Sequence, residues 1–156
     1  MIAPLGGGSL VRPVSDSPTT ESSAVEDYLE IIHGLIGSKG YARVADVADG
    51  LGISQASVSN MMRRLDDKGL IRYEKYRGMT LTADGESVAR RITKRHGILA
   101  ELLDLFGVEE GVAYRDVEGM EHHVSPQTLR GLQQIVSELK ENPEMCARVK
   151  KAAAEK

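Results

Sequence analysis

The segment Glu118-Gly119-Met120-Glu121-His122-His123 concentrates the groups best suited to chemistry in this chain. At about 100° per residue, Glu118, Glu121 and His122 project from one side of a helix. Two carboxylates and an imidazole on one face are donors for a divalent cation: hard oxygens with one borderline nitrogen. Across the same helix, Ala113, Val117, Met120 and Val124 form an apolar stripe that can pack inward. The segment also fits a solvated acidic face with incidental histidines. The elements around it must decide between the two.

Charge is divided along the chain. The net charge is −3. Between Ser54 and Met79, however, six basic residues (Arg63, Arg64, Lys68, Arg72, Lys75, Arg77) face three acidic ones (Asp66, Asp67, Glu74), a local excess of +3. Between Gly97 and Ser125 the balance is −6: Arg115 stands against Glu101, Asp104, Glu109, Glu110, Asp116, Glu118 and Glu121. The middle suits a polyanion and the later part suits cations.

The basic segment has the order of a DNA-reading module. Val44 to Leu51 reads as a helix, Gly52 breaks it, and Ile53 is expected to seat the turn in the core. Ser54 caps a second helix to about Lys68, with Val58, Met61, Met62 and Leu65 inward. Helix, Gly-containing turn and a helix starting with small polar residues make a helix-turn-helix. Gln55, Ser57, Ser59 and Asn60 can bond base edges or phosphates, and Arg63 and Arg64 can neutralise phosphates. Leu70 to Tyr76 and Met79 to Leu81 read as two strands joined by a tight turn at Arg77-Gly78, which is the wing of a winged helix. Lys75 and Arg77 at its tip would touch backbone phosphates.

The remaining elements are helical. A capping box at Ser23 and Glu26 starts a helix to about Ser38, with Val25, Tyr28, Leu29, Ile32, Leu35 and Ile36 on one face. Asp27 and Glu30 lie opposite, either as its wet face or as carboxylates aimed at the cation site. Thr82 caps a long helix to about Phe106, with Val88, Ile92, Leu99, Leu102, Leu103 and Phe106 apolar. His96 falls within that stripe, as a satisfied core residue or as a further donor. A helix from Glu109 to Val124 carries the opening motif. Ser125-Pro126 starts another, whose Leu129, Leu132, Ile135, Val136 and Leu139 pack within the chain or form a dimer interface. Asn142-Pro143 opens a last helix with a fraying Ala-rich tail.

Composition bounds the class. The 156 residues make one domain or two small ones. No Trp and one Phe leave a core of Leu, Ile, Val and Met. No apolar run approaches about 18 residues, so no transmembrane helix is expected. Residues 1–21, rich in Gly, Pro, Ser and Thr, are expected to be a disordered extension and not a signal peptide. A lone Cys146 fits a reducing cytoplasm.

Gly-Tyr-Ala-Arg (40–43), Tyr-Glu-Lys-Tyr-Arg-Gly (73–78), Leu-Thr-Ala-Asp-Gly (81–85) and Asp-Val-Glu-Gly-Met-Glu-His-His (116–123) resemble the manganese transport regulator family, MntR, within the diphtheria-toxin-repressor superfamily of metal-activated repressors. The resemblance covers roughly residues 23–140. It implies a mainly α homodimer, with an N-terminal winged helix-turn-helix domain (22–82), a linking helix (83–106) and a C-terminal helical metal-binding and dimerisation domain (107–156). It implies Asp27, Glu30, His96, Glu118, Glu121 and His122 as ligands of a binuclear Mn²⁺ site, which Cd²⁺, Co²⁺, Fe²⁺ or Zn²⁺ could also occupy. The SH3-like third domain of longer relatives is expected to be absent.

None of the six implied ligands carries sulfur, and Asp27 and Glu121 both offer carboxylate oxygens. Oxygen in place of sulfur lowers the advantage of softer metals and suits Mn²⁺. The function implied is a cytoplasmic, Mn²⁺-activated repressor of manganese-homeostasis genes, bound to palindromic double-stranded operator DNA, with no membrane or small organic substrate. The alternatives are an iron-type repressor, a metal-independent winged-helix regulator, and a di-metal carboxylate enzyme. The last would normally repeat Glu-x-x-His on two helices, and this chain has Glu118…Glu121-His122 once.

Overall fold

The computed structural model describes residues 20–155. Their elements run α1 (Thr20–Lys39), α2 (Val44–Leu51), α3 (Gln55–Asp67), β1 (Ile71–Glu74), β2 (Gly78–Leu81), α4 (Ala83–Phe106), α5 (Glu110–Met120), α6 (Pro126–Glu141) and α7 (Pro143–Ala154). The disorder expected of the N-terminal extension falls, for residues 1–19, outside the described residues. Helix α1 already includes Thr20, so Ser23 lies inside the helix and not at its cap.

The N-terminal half closes around a core of Leu29 and Ile32 from α1, Val47 from α2, Val58, Met62 and Leu65 from α3, Ile71 from β1, and Ala89 and Ile92 from α4. Each Val, Leu, Ile or Met among them, taken fully out of water, contributes about 1.5–3 kcal/mol. Between α2 and α3, Gly52 adopts φ 65° and the Ile53 amide returns to the Ala48 carbonyl at 3.1 Å. The backbone closes this turn by itself, so Ile53 is left 40% exposed and does not seat it in the core. Ser54 caps α3 by accepting from the Ser57 amide at 3.2 Å.

Strands β1 and β2 pair antiparallel, Ile71 with Leu81 and Glu74 with Gly78. The turn lies one step earlier than the sequence pattern places it. Tyr76, not Gly78, is at its apex, with φ +75° and 91% exposure. Gly78 belongs to β2, where a Cβ would sit 2.6 Å from the Ala42 carbonyl oxygen. The glycine is needed because the lead-in segment bridges to the wing at Ala42 and Met79.

Helix α4 joins the two halves. At its start, Thr82 Oγ1 donates to the Gly69 carbonyl at 2.6 Å and accepts from the Gly85 amide at 3.1 Å. Gly85 has no room for a Cβ, which would fall 1.8 Å from the Leu70 carbonyl oxygen. The helix is thereby docked directly on the base of the wing. Farther along, α4 packs against α5, α6 and α7. Buried there are Ile98, Leu99 and Leu102 of α4, Val117 of α5, and Val136 and Leu139 of α6.

The C-terminal helices differ from expectation in four respects. Helix α5 ends at Met120, because the His123 amide bonds to the Met120 carbonyl and tightens the last turn. Its stripe is broken: Val117 is buried, but Met120 is 37% exposed and Glu121 is the buried neighbour. The α6 stripe divides, with Val136 and Leu139 inward and Ile135 46% exposed. Helix α7 continues through the Ala-rich segment to Ala154. Among the described residues, no helix is long and apolar enough to cross a membrane.

Candidate metal centre

Three elements converge on one place. Helix α1 brings Asp27 and Glu30, one turn apart on its less apolar side. Helix α4 brings His96, and the end of α5 with the turn after it brings Glu118, Glu121 and His122. All six residues singled out in the sequence lie here.

Their donor atoms form two groups that share one residue. Asp27, Glu121 and His122 offer atoms all within 4.8 Å of one another, and so do Glu30, His96 and Glu121. His122 Nε2 lies 3.3 Å from Asp27 Oδ1 and 3.6 Å from Glu121 Oε1. His96 Nδ1 lies 3.1 Å from Glu121 Oε2, 3.8 Å from Glu30 Oε1 and 3.9 Å from Glu118 Oε1. The two oxygens of Glu121 thus face opposite groups. His123, adjacent in sequence, is exposed and belongs to neither.

Electrostatics make this arrangement costly without a counter-charge. Glu121 is 1% exposed, and its Oε1 is buried without a hydrogen-bond partner. A buried carboxylate with an unsatisfied oxygen is strongly disfavoured unless a cation neutralises it. Burial, and then the nearby Glu121 carboxylate, hold the Glu30 carboxyl above its ordinary value. The same two causes, in the same order, raise Glu118. His96 opposes both shifts by stabilising the ionised forms. Four carboxylates and two imidazoles around an orphaned buried oxygen fit a divalent cation with hard-donor preference.

Glu26 enters the site although the sequence pattern assigns it to a helix cap. Its Oε2 accepts from Arg95 Nη2 at 2.6 Å and lies 3.1 Å from His122 Nδ1. The local signal, Ser followed three residues later by Glu, pointed to the backbone. Nothing nearby in sequence pointed to residues 69 and 96 positions away.

In the helix-turn-helix, Gln55, Ser57, Asn60, Arg63 and Arg64 are exposed along α3, with Ser59 half-buried toward the wing. Arg63 Nη1 donates to Asn60 Oδ1 at 3.1 Å, which pre-aligns the pair on the helix surface. Lys75 and Arg77 are exposed at the wing tip, where Arg77 lies 3.3 Å from Glu74. Arg43 stacks over Tyr41 at 4.9 Å in the lead-in segment, adding a cation beside the wing.

Comparison with known proteins covers both halves. Residues 21–79 match the family described as "Iron dependent repressor, N-terminal DNA binding domain". Residues 82–148 match "Iron dependent repressor, metal binding and dimerisation domain". The chain is 44% identical over 133 residues to the HTH-type transcriptional regulator MntR of Lysinibacillus sphaericus, covering 85% of this chain and 94% of that protein. It is 41% identical over 119 residues to the protein of the same name from Bacillus subtilis, covering 76% and 84%. Among solved structures, T. acidophilum IdeR superposes with a TM-score of 0.63 at 26% identity. That match covers 72% of this chain and 53% of that one, so the chain spans about half the length of that structure.

Proposed function

This chain belongs to the iron-dependent repressor family, and on that premise we propose that it is a Mn²⁺-activated, MntR-type transcriptional repressor. It acts in the cytoplasm as a homodimer on palindromic operator DNA and controls manganese uptake and homeostasis genes. It is a regulator and carries out no catalytic step. Residues 22–82 read DNA, 83–106 link, and 107–156 hold metal and dimerise.

One observation supports this reading above the others: the buried Glu121 carboxylate stands between two donor groups, one oxygen toward each. Asp27, Glu121 and His122 would hold one ion, and Glu30, His96 and Glu121 the other, with Glu118 in reach of the second. The absence of sulfur among these residues favours Mn²⁺ over softer metals. The raw affinity order runs the other way, so discrimination must come from geometry and coordination number.

Metal and DNA binding are coupled through the elements that supply the ligands. Asp27 and Glu30 stand on α1, whose Leu29 and Ile32 pack in the core beneath α3. Glu118, Glu121 and His122 belong to the dimerising half. Bound divalent cations supply the positive charge that turns the convergence of four carboxylates from repulsion into attraction. Closing the carboxylates together narrows the range of angles between the two halves, which is a shift among pre-existing orientations. In a dimer, two α3 helices then face successive major grooves about 34 Å apart.

The test is selection of bound duplexes from a random DNA pool with Mn²⁺, followed by titration of the selected site with Mn²⁺, Fe²⁺, Co²⁺ and Zn²⁺ in turn. The expected result is a palindromic site whose binding is lost on chelation. Equal binding with and without chelator contradicts the proposal. So does a Mn²⁺ stoichiometry of fewer than two per protomer for the binuclear part.

A further inference from the structure

Glu26 stands beside the proposed ligands without belonging to either donor group. It makes the bond a buried charge most needs, to the guanidinium of Arg95 on α4 at 2.6 Å. Both side chains are largely buried, where such a charge-assisted bond is stronger than at the surface. The same oxygen, Oε2, lies 3.1 Å from His122 Nδ1. Helix α1, helix α4 and the turn after α5 are therefore tied at a single atom.

We propose that Glu26, anchored by Arg95, is the positioning residue of the metal centre: it fixes the ring and tautomer of His122. This rests on the metal-centre reading above. A neutral imidazole has one N–H and one lone pair. An ionised carboxylate only accepts, so Glu26 draws the proton to Nδ1. The lone pair is left on Nε2, which faces Asp27 Oδ1 at 3.3 Å and Glu121 Oε1 at 3.6 Å. Those two carboxylates compete for the proton from the Nε2 side, but both lie farther from the ring than Glu26 does. Histidines that bind metals are commonly oriented by a carboxylate on the second nitrogen in this way.

Arg95 has a separate part. It neutralises Glu26, so that this fifth carboxylate adds no repulsion to the four already converging. It also holds Oε2 of Glu26 toward α4, at 2.6 Å from its own Nη2.

The test uses full-length protein labelled with ¹⁵N at histidine. Nitrogen–proton correlation spectra of the metal-free protein at pH 8 report the His122 tautomer, and Mn²⁺ titration followed by electron paramagnetic resonance reports affinity. The wild type is expected to carry the proton on Nδ1. Glu26→Ala is expected to shift it toward Nε2 and to weaken the Asp27–Glu121–His122 group by about 10–100-fold. Glu26→Gln keeps an acceptor oxygen and is expected to restore the tautomer and most of the affinity. A wild-type His122 protonated on Nε2 overturns the proposal even if Glu26→Ala does not fold. Unchanged affinity in a folded Glu26→Ala, or no rescue by Gln, overturns it as well. Wild-type protein with the expected tautomer that takes up no Mn²⁺ overturns the metal-centre reading, and the positioning role with it.

Discussion

Asp27 Oδ1 lies 3.3 Å from His122 Nε2, joining α1 to the turn that follows α5. Asp27→Ala removes a donor from one group and leaves the Glu30–His96–Glu121 group complete. The expected result is one weakened ion, by at least about 10–100-fold on the scale of lost supporting contacts, and one nearly normal ion. Mn²⁺-dependent DNA binding should fall with the first. Calorimetric titration of metal, read beside operator binding, checks both. Full Mn²⁺-dependent DNA binding in this variant would rule out α1 as part of the coupling.

Glu121 is a different case, because both groups contain it. Glu121→Met should abolish high-affinity uptake of both ions together. It should also raise the stability of the metal-free protein by about 1–2 kcal/mol, since an apolar side chain replaces a buried carboxylate with an orphaned oxygen. Chemical denaturation in a chelator measures the second effect. A metal-free variant less stable than the wild type would show that Glu121 is already well satisfied.

The raised Glu30 and Glu118 carboxyls set a pH dependence for the metal-free protein. Between the ordinary carboxylate value and the raised one, the folded state binds more protons than the unfolded state. The stability these groups contribute is complete below the ordinary value and is lost as pH rises through the raised one. Glu30→Gln should therefore be more stable than the wild type above that window, with the difference closing below it. Mn²⁺ needs the ionised carboxylates and neutral imidazoles, so its stabilising effect should grow between about pH 5 and 7.5. Thermal melts across this range, with Mn²⁺ and with chelator, give both trends. A Mn²⁺ effect that does not vary with pH contradicts the ligand set.

On the DNA side, Arg63 is exposed on α3 and carries Asn60 with it. Arg63→Ala should weaken binding to all duplexes alike and reduce the salt slope by about 1, the signature of one lost phosphate contact. Asn60→Ala should instead relax preference at one base pair. Binding measured over a salt series separates the two. A changed sequence preference in Arg63→Ala would move Arg63 from phosphate to base contact.

The sequence made legible whatever depends on neighbours a few residues apart. Ser54, Thr82, Ser125 and Asn142 each cap the helix expected of them, because the bonds involved span three residues. The bounds of α2 and the start of α4 follow from the same local rules. Convergence of the six candidate ligands became legible through resemblance, since helical spacing alone could group only Glu118, Glu121 and His122. Three features stayed hidden. Glu26 fits a capping box in sequence, yet its partners are fixed by tertiary packing. Met120 is exposed and Glu121 buried, because Glu121 continues the α5 backbone at a position that faces His96 of α4, a tertiary contact that helical spacing does not reveal. The wing apex falls on Tyr76 because Gly78 is claimed by the close Ala42 carbonyl, a contact no strand pattern reveals.

Helix α4 is locked to the wing base at Gly85 and carries His96 just past its middle. At about 1.5 Å per residue its 24 residues span about 36 Å. It therefore works as a lever: a tilt of about 5° at one end displaces the other by about 3 Å, the length of a hydrogen bond. Adjustments of about 1–2 Å at His96 can in this way decide whether a side chain at the end of the lever meets a base edge or misses it.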